Sequence, residues 1–123
     1  MEIFRNTHIF VEVHESSIPW LKIFTVYPYK EFGDVDQVTK QMIWKAIDVC
    51  EYHMKAYFVP DKINIASFGN YVPHVHWHIQ ARFNNDAWFP EPTWGVKQRE
   101  STLLLPSAIQ CWETISHSLS NLT

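Results

Sequence analysis

Three of the seven histidines stand in one stretch, Val72-Pro73-His74-Val75-His76-Trp77-His78-Ile79-Gln80, each separated from the next by one apolar residue. A period of two is the mark of a β-strand, in which residues i, i+2 and i+4 share a face. The spacing therefore predicts a row of three imidazoles, with Val75, Trp77 and Ile79 turned the other way into a core. Imidazole titrates near neutrality, with an unperturbed pKa of about 6.5. The neutral ring is a competent nucleophile toward phosphorus and a general acid–base. Adjacent imidazoles disfavour each other's protonation. A central ring is then placed to attack while its neighbours donate hydrogen bonds to phosphate oxygens, and a sheet fixes that spacing in advance.

Metal binding is the second chemistry open to such a row. Strand residues rise about 3.3 Å each, so the Cα atoms of His74 and His78 would stand about 13 Å apart. One zinc ion, with Zn–N bonds of about 2.0 Å, takes two of the three rings on a flat strand. Further ligands would have to come from His8, Glu12, His14 or Asp86, and no local spacing points to them. A row of histidines without any role is the third reading, and the strict alternation of three beside Gly69-Asn70 weighs against it.

The row needs elements to hold it. Residues 7–14 alternate Ile9, Val11 and Val13 with His8, Phe10 and Glu12, a strand pattern. A turn at Glu15-Ser16-Ser17-Ile18-Pro19 leads to residues 20–27, rich in aromatic and β-branched types that suit a pleated surface. The two segments read as a hairpin. Asp34, with Gln37 three residues on, has the form of a capping box. Apolar residues then fall at helical spacing through Val38, Met42, Ile43, Ala46, Ile47, Cys50, Met54 and Phe58 until Pro60 ends the run. Ile63 and Ile65 mark the next strand, and Gly69-Asn70 reads as a tight turn into the histidine strand, which runs to about Phe83. These two strands are expected as antiparallel neighbours at the centre of the sheet.

Residues 86–95 have no period and two prolines, yet carry Trp88, Phe89 and Trp94. Rings on a loop need burial against their own domain, a second subunit or a ligand. From Pro106, Ile109, Trp112, Ile115 and Leu119 mark a short C-terminal helix. Strand pairs flanking one helix predict an α+β fold with an antiparallel sheet.

Length bounds the rest. With 123 residues, the chain is expected to form a single domain, 1–123, and 46% hydrophobic residues are enough for a real core. A formal net charge of −3 weighs against a large nucleic-acid footprint, and no nucleic-acid partner is expected. No apolar run reaches the ~18 residues that span a bilayer, and the first residues lack a signal stretch, so a cytoplasmic location without membrane contact is expected. Cys50 and Cys111 are far apart in sequence and read as buried free thiols.

The stretch His74 to Gln80 resembles the signature of the histidine-triad (HIT) family, His-φ-His-φ-His-φ-φ with φ apolar, and only Gln80 departs from it. The strand and turn from Asp61 to Pro73, and the segment from Ala81 through the Trp88 to Gly95 loop, resemble a bacterial branch of that family. The resemblance implies a five-stranded antiparallel sheet with one long helix and a short C-terminal helix. It implies a homodimer, with neither cofactor nor metal. It implies a nucleotide substrate cleaved at its α-phosphate, a dinucleoside polyphosphate or a nucleoside phosphoramidate, by a hydrolase or transferase. By the same resemblance His76 is the nucleophile and forms a covalent nucleotidyl-histidine. His74 and His78 contact phosphate or leaving group, and the carbonyl of His74 orients the nucleophile's Nδ1–H. Asn64 and Asn70 then stand near positions that bind phosphate. A nucleotide-binding module with little turnover, or a histidine-based metal-binding protein, are the alternatives.

Overall fold

Hydrophobic alternation sorts the chain into strands with two unlike faces. The computed structural model describes residues 1–122. Five strands form one sheet: β1 (Glu2–Arg5), β2 (Ile9–Val13), β3 (Trp20–Thr25), β4 (Lys62–Ala66) and β5 (His76–Arg82). Their order is β1-β2-β3-β5-β4, and every neighbouring pair is antiparallel. The helix α1 (Gln37–Phe58) joins β3 to β4, and α2 (Ile109–Ser120) closes the chain.

One face of the sheet makes the core. Ile9 and Val11 from β2, Leu21 and Ile23 from β3, and Ile79 and Ala81 from β5 have no exposed surface. They meet Met42, Ile43, Ala46, Ile47, Cys50 and Met54 of α1, while Cys111, Trp112, Ile115 and Leu119 join the same cluster from α2. Each fully buried aliphatic side chain contributes about 1.5–3 kcal/mol from apolar burial. The helices therefore clamp one side of the sheet and leave the other side free for Phe24, His76 and His78.

The structure corrects several boundaries. β1 was not legible from its four residues, because a short edge strand with charged ends shows no clear alternation. The long helix begins at Gln37 with Asp36 as N-cap, and Phe32–Asp34 forms a separate 3-10 turn instead of the Asp34 cap. The helix stops at Phe58 because Val59 adopts a left-handed conformation (φ 47°). The following Pro60 disfavours a helical Val59. The β4–β5 connection spans residues 67–75 and is not a two-residue turn: Gly69 has φ +101°, whereas Asn70 has no positive φ. β4 lies at the sheet edge, and β3 shares the interior with β5. α2 starts at Ile109, beyond Pro106.

Both cysteines are free and buried. Burial pushes the Cys111 thiol up to about 11, and burial, with Cys111 adding to it, raises Cys50 further. No helix among the described residues is long and apolar enough to cross a membrane.

Candidate active site

The histidine strand begins at His76, so only two of the three imidazoles share the ladder. Opposite residues in an antiparallel pair lie on the same face. His76 pairs with Phe24, His78 with Lys22 and Ala66, and Gln80 with Trp20 and Asn64. These residues face away from the helices. His76 lies flat on Phe24, with ring centroids 4.9 Å apart and planes 17° from parallel.

His74 lies outside the strand, and this corrects the row of three. Before His76 the chain leaves the strand: Val75 N–H donates to the carbonyl of Tyr29 at 2.7 Å, in the loop after β3, while its carbonyl still accepts Thr25 N–H at 3.3 Å. The His74 ring turns toward β3, where its Nε2 donates to the carbonyl of Thr25 at 2.6 Å. Its own carbonyl accepts Nδ1–H of His76 at 2.7 Å. A carbonyl can only accept, so the His76 proton resides on Nδ1 and the lone pair on Nε2. The connection after β4 also holds His76, whose carbonyl accepts the Ser67 hydroxyl at 2.6 Å.

His76 and His78 line a cleft of about 520 Å³ with Trp20, Phe24, Asn70 and Trp94. Tyr71 and Val72 stand on its rim and are exposed. A second groove of about 410 Å³ shares His14 and Trp20 with it and runs toward Phe58 and Trp112. That groove holds neither His76 nor His78. Asn64 is not part of the cleft wall: its Oδ1 accepts Arg82 at 2.8 Å.

The loop after β5 completes the wall. Arg82 is 1% exposed and forms two bonds to Asp86, at 2.8 and 3.1 Å, and a third to the carbonyl of Glu91 at 2.7 Å. Asp86 also accepts the backbone N–H groups of Phe83, Trp88 and Phe89. Gln80 donates to Thr93 at 2.8 Å, which ties down the far end of the loop. Together these bonds set Trp94 beside His78 (4.9 Å), Phe68 (4.7 Å) and Trp20 (5.5 Å). The aromatic loop thus packs on its own chain and builds an apolar wall next to the imidazoles.

Electrostatics keep His78 uncharged. Burial first, then His76, Lys22 and His14, lower its pKa to about 4. Burial, followed by Lys22, also lowers His14. Lys22 is the one cationic side chain of the cleft wall, and it reaches Glu12 at 3.4 Å. Among the described residues no group of three His, Cys, Asp or Glu side chains is placed to hold a metal ion.

Of the residues singled out from sequence, the cleft brings together His76, His78 and Asn70, and the ring of His74 and the amide of Asn64 lie outside it. Trp20, Lys22, Phe24, Phe68 and Trp94 were missed as site residues. The period of two in Trp20, Lys22 and Phe24 carried a signal that they share a face. Trp94 was marked as a ring needing burial, but nothing local placed it beside the imidazoles; the Arg82–Asp86 anchor and the Gln80–Thr93 bond bring it there.

A five-stranded antiparallel sheet that presents paired histidines in an open cleft on the face away from its helices defines the class of histidine-triad proteins. The HIT domain matches residues 6–85, and the chain belongs to that family. A histidine triad protein from Bradyrhizobium japonicum is 31% identical, with a TM-score of 0.75 over 98% of this chain and 87% of that one. One from Marinobacter aquaeolei VT8 is 22% identical, with a TM-score of 0.78 over 100% of this chain and 90% of that one. A HIT protein from Sinorhizobium meliloti 1021 is 22% identical, with a TM-score of 0.73 over 100% and 89% of the two chains. No curated protein matches the chain. Members of the family are generally nucleotide-binding hydrolases or transferases.

Proposed function

We propose that this protein is a nucleotidyl hydrolase or transferase that attacks the α-phosphate of a nucleotide with His76. The observation that carries this reading is the hydrogen bond from His76 Nδ1 to the carbonyl of His74 at 2.7 Å. It commits one ring nitrogen and leaves the other as a nucleophile in the cleft. His78 supplies an adjacent polar contact, and Asn70 stands on the same wall. The His74 backbone orients the nucleophile, while its ring secures the segment to Thr25. Asn64 acts behind the wall, through Arg82.

The test is to trap the covalent intermediate. Purified protein is mixed with an adenosine 5′-phosphoramidate or a diadenosine polyphosphate and denatured under alkaline conditions, which preserve phosphohistidine. Intact-mass and peptide analysis should place one adenylyl group on His76. Tight binding of AMP with neither adduct nor product would make the chain a binding module instead.

The same reading includes a homodimer. The outer face of α1 exposes Val38, Trp44 and Tyr52, and β4 offers a free sheet edge with Ile65. Light scattering is expected to give twice the chain mass, and a value at 14.6 kDa would remove the dimer.

A further inference from the structure

Trp20 does more than line the cleft. Its indole Nε1 lies 2.9 Å from Nδ1 of His78, a buried contact. An indole N–H can only donate. Nδ1 of His78 must therefore accept, and the single proton of the neutral ring sits on Nε2. The donor is held from both sides. The indole packs on His14 at 4.0 Å and against Trp94 at 5.5 Å, and the Trp20 carbonyl accepts His14 N–H at 2.9 Å.

Protonating His78 would put a proton on Nδ1, facing another N–H across 2.9 Å. The hydrogen bond would be lost and two donors would oppose each other. No compensating charge is at hand. The charged or titratable groups around the ring are His76 on its own strand, Lys22 on β3 and His14 beyond the end of β2. β4 offers only Ala66 in register, and the two loops bring Phe68 and Trp94. Of the carboxylates on this side, Glu12 is engaged by Lys22, and Glu15 acts on His14 but is not among the groups acting on His78. Burial works in the same direction and lowers the ring to about 4.

We propose that Trp20 is a positioning residue that holds His78 as a neutral Nε2–H hydrogen-bond donor, so that the site cleaves nucleotides whose leaving group departs as a weakly basic, planar oxyanion in preference to alkyl amines. This rests on the nucleotidyl-transfer reading above. In the first step the lone pair of His76 Nε2 forms a bond to phosphorus. The P–O bond to the leaving group breaks, and its electron pair leaves on oxygen. No proton moves, and His76 Nδ1–H stays on the His74 carbonyl. His78 Nε2–H donates to a phosphoryl or departing oxygen without giving up its proton. In the second step water attacks phosphorus, the P–N bond breaks with its pair returning to His76, and the water's proton passes to solvent. An alkyl amine must gain a proton to leave, and a neutral imidazole N–H does not give one readily. The rings of Phe68 and Trp94 beside His78 suit a flat leaving group over an aliphatic one.

The test uses a series of aryl esters of AMP with graded phenol acidity, together with an alkyl phosphoramidate of AMP. On the native protein kcat/KM should climb steeply with phenol acidity, and the alkyl amidate should be slower than the most acidic ester by about 100-fold, or about 2.7 kcal/mol in barrier. Trp20→Phe keeps an aromatic ring but removes the donor. It should flatten this dependence and add a rate that rises as pH falls, as His78 becomes able to protonate. Nitrogen-15 NMR of the native protein at pH 7 gives a readout that needs no variant: His78 should show the Nε2–H tautomer. An imidazolium or an Nδ1–H tautomer there would overturn the proposal, as would equal rates on amidate and ester. A native protein that never places a nucleotide on His76 would overturn the underlying reading, a result distinct from turnover with a flat leaving-group dependence.

Discussion

His76→Asn is expected to lower kcat/KM for nucleotide hydrolysis by about 10⁴-fold or more, the scale seen when a covalent nucleophile is removed. The side chain lies on Phe24 and its Nδ1–H donates to the His74 carbonyl. Asparagine can keep a similar donor toward that carbonyl but offers no ring nitrogen in place of Nε2. The fold should survive, since His76 belongs to the open face of the sheet and not to the core cluster. Steady-state rates beside a circular dichroism spectrum check both halves. A folded variant that turns over at the native rate would show that the nucleophile lies elsewhere. Loss confined to KM would show that His76 binds and does not react.

The second large effect concerns stability. Asp86 and Arg82 are both essentially buried, and the guanidinium makes its bonds to Asp86, Asn64 and the Glu91 carbonyl. Asp86→Ala leaves a buried cation without its partner, which should cost about 3–5 kcal/mol in urea unfolding at pH 7. The loop that carries Trp94 loses its anchor in the same change. The effect should depend on pH. Burial alone would raise the Asp86 carboxyl, but Arg82 and the N–H groups of Phe83, Trp88 and Phe89 outweigh it and hold the pKa at about 2. A folded pKa below the unfolded value means that stability is present above about pH 4 and is lost as pH falls toward 2. That contribution is about 2 kcal/mol. The gap between native protein and Asp86→Asn should therefore narrow between pH 4 and pH 2. A gap that stays constant over that range would show that the carboxylate charge is not what stabilises the loop.

How far the sequence reaches differs between elements. The apolar stripe from Met42 to Phe58 specified a long helix, because a 3.6-residue period over five turns has few other solutions. Its start moved from Asp34 to Asp36, because Asp34 lies within a separate 3-10 turn and Asp36 holds the extended N-cap position. The alternation through Ile79 gave β5 and the buried fate of Val75 and Ile79. It overran at the N-terminal end, where Val75 N–H turns to the Tyr29 carbonyl, beyond the end of β3, and His74 lies outside the strand. β1 stayed hidden because an edge strand needs only one partner and little hydrophobic signal.

The sequence by itself determined the α+β class, the helix, the strand that carries His76 and His78, and the resemblance to the family. All of these depend on local period or on a contiguous motif. Tertiary structure alone decided what surrounds the two rings. Trp20 lies 58 residues from His78 in sequence and meets it through cross-strand pairing, and Trp94 arrives because a buried Arg82–Asp86 pair folds its loop back. Such contacts are set by register and by satisfaction of buried charge, and neither leaves a trace in the spacing of neighbouring residues.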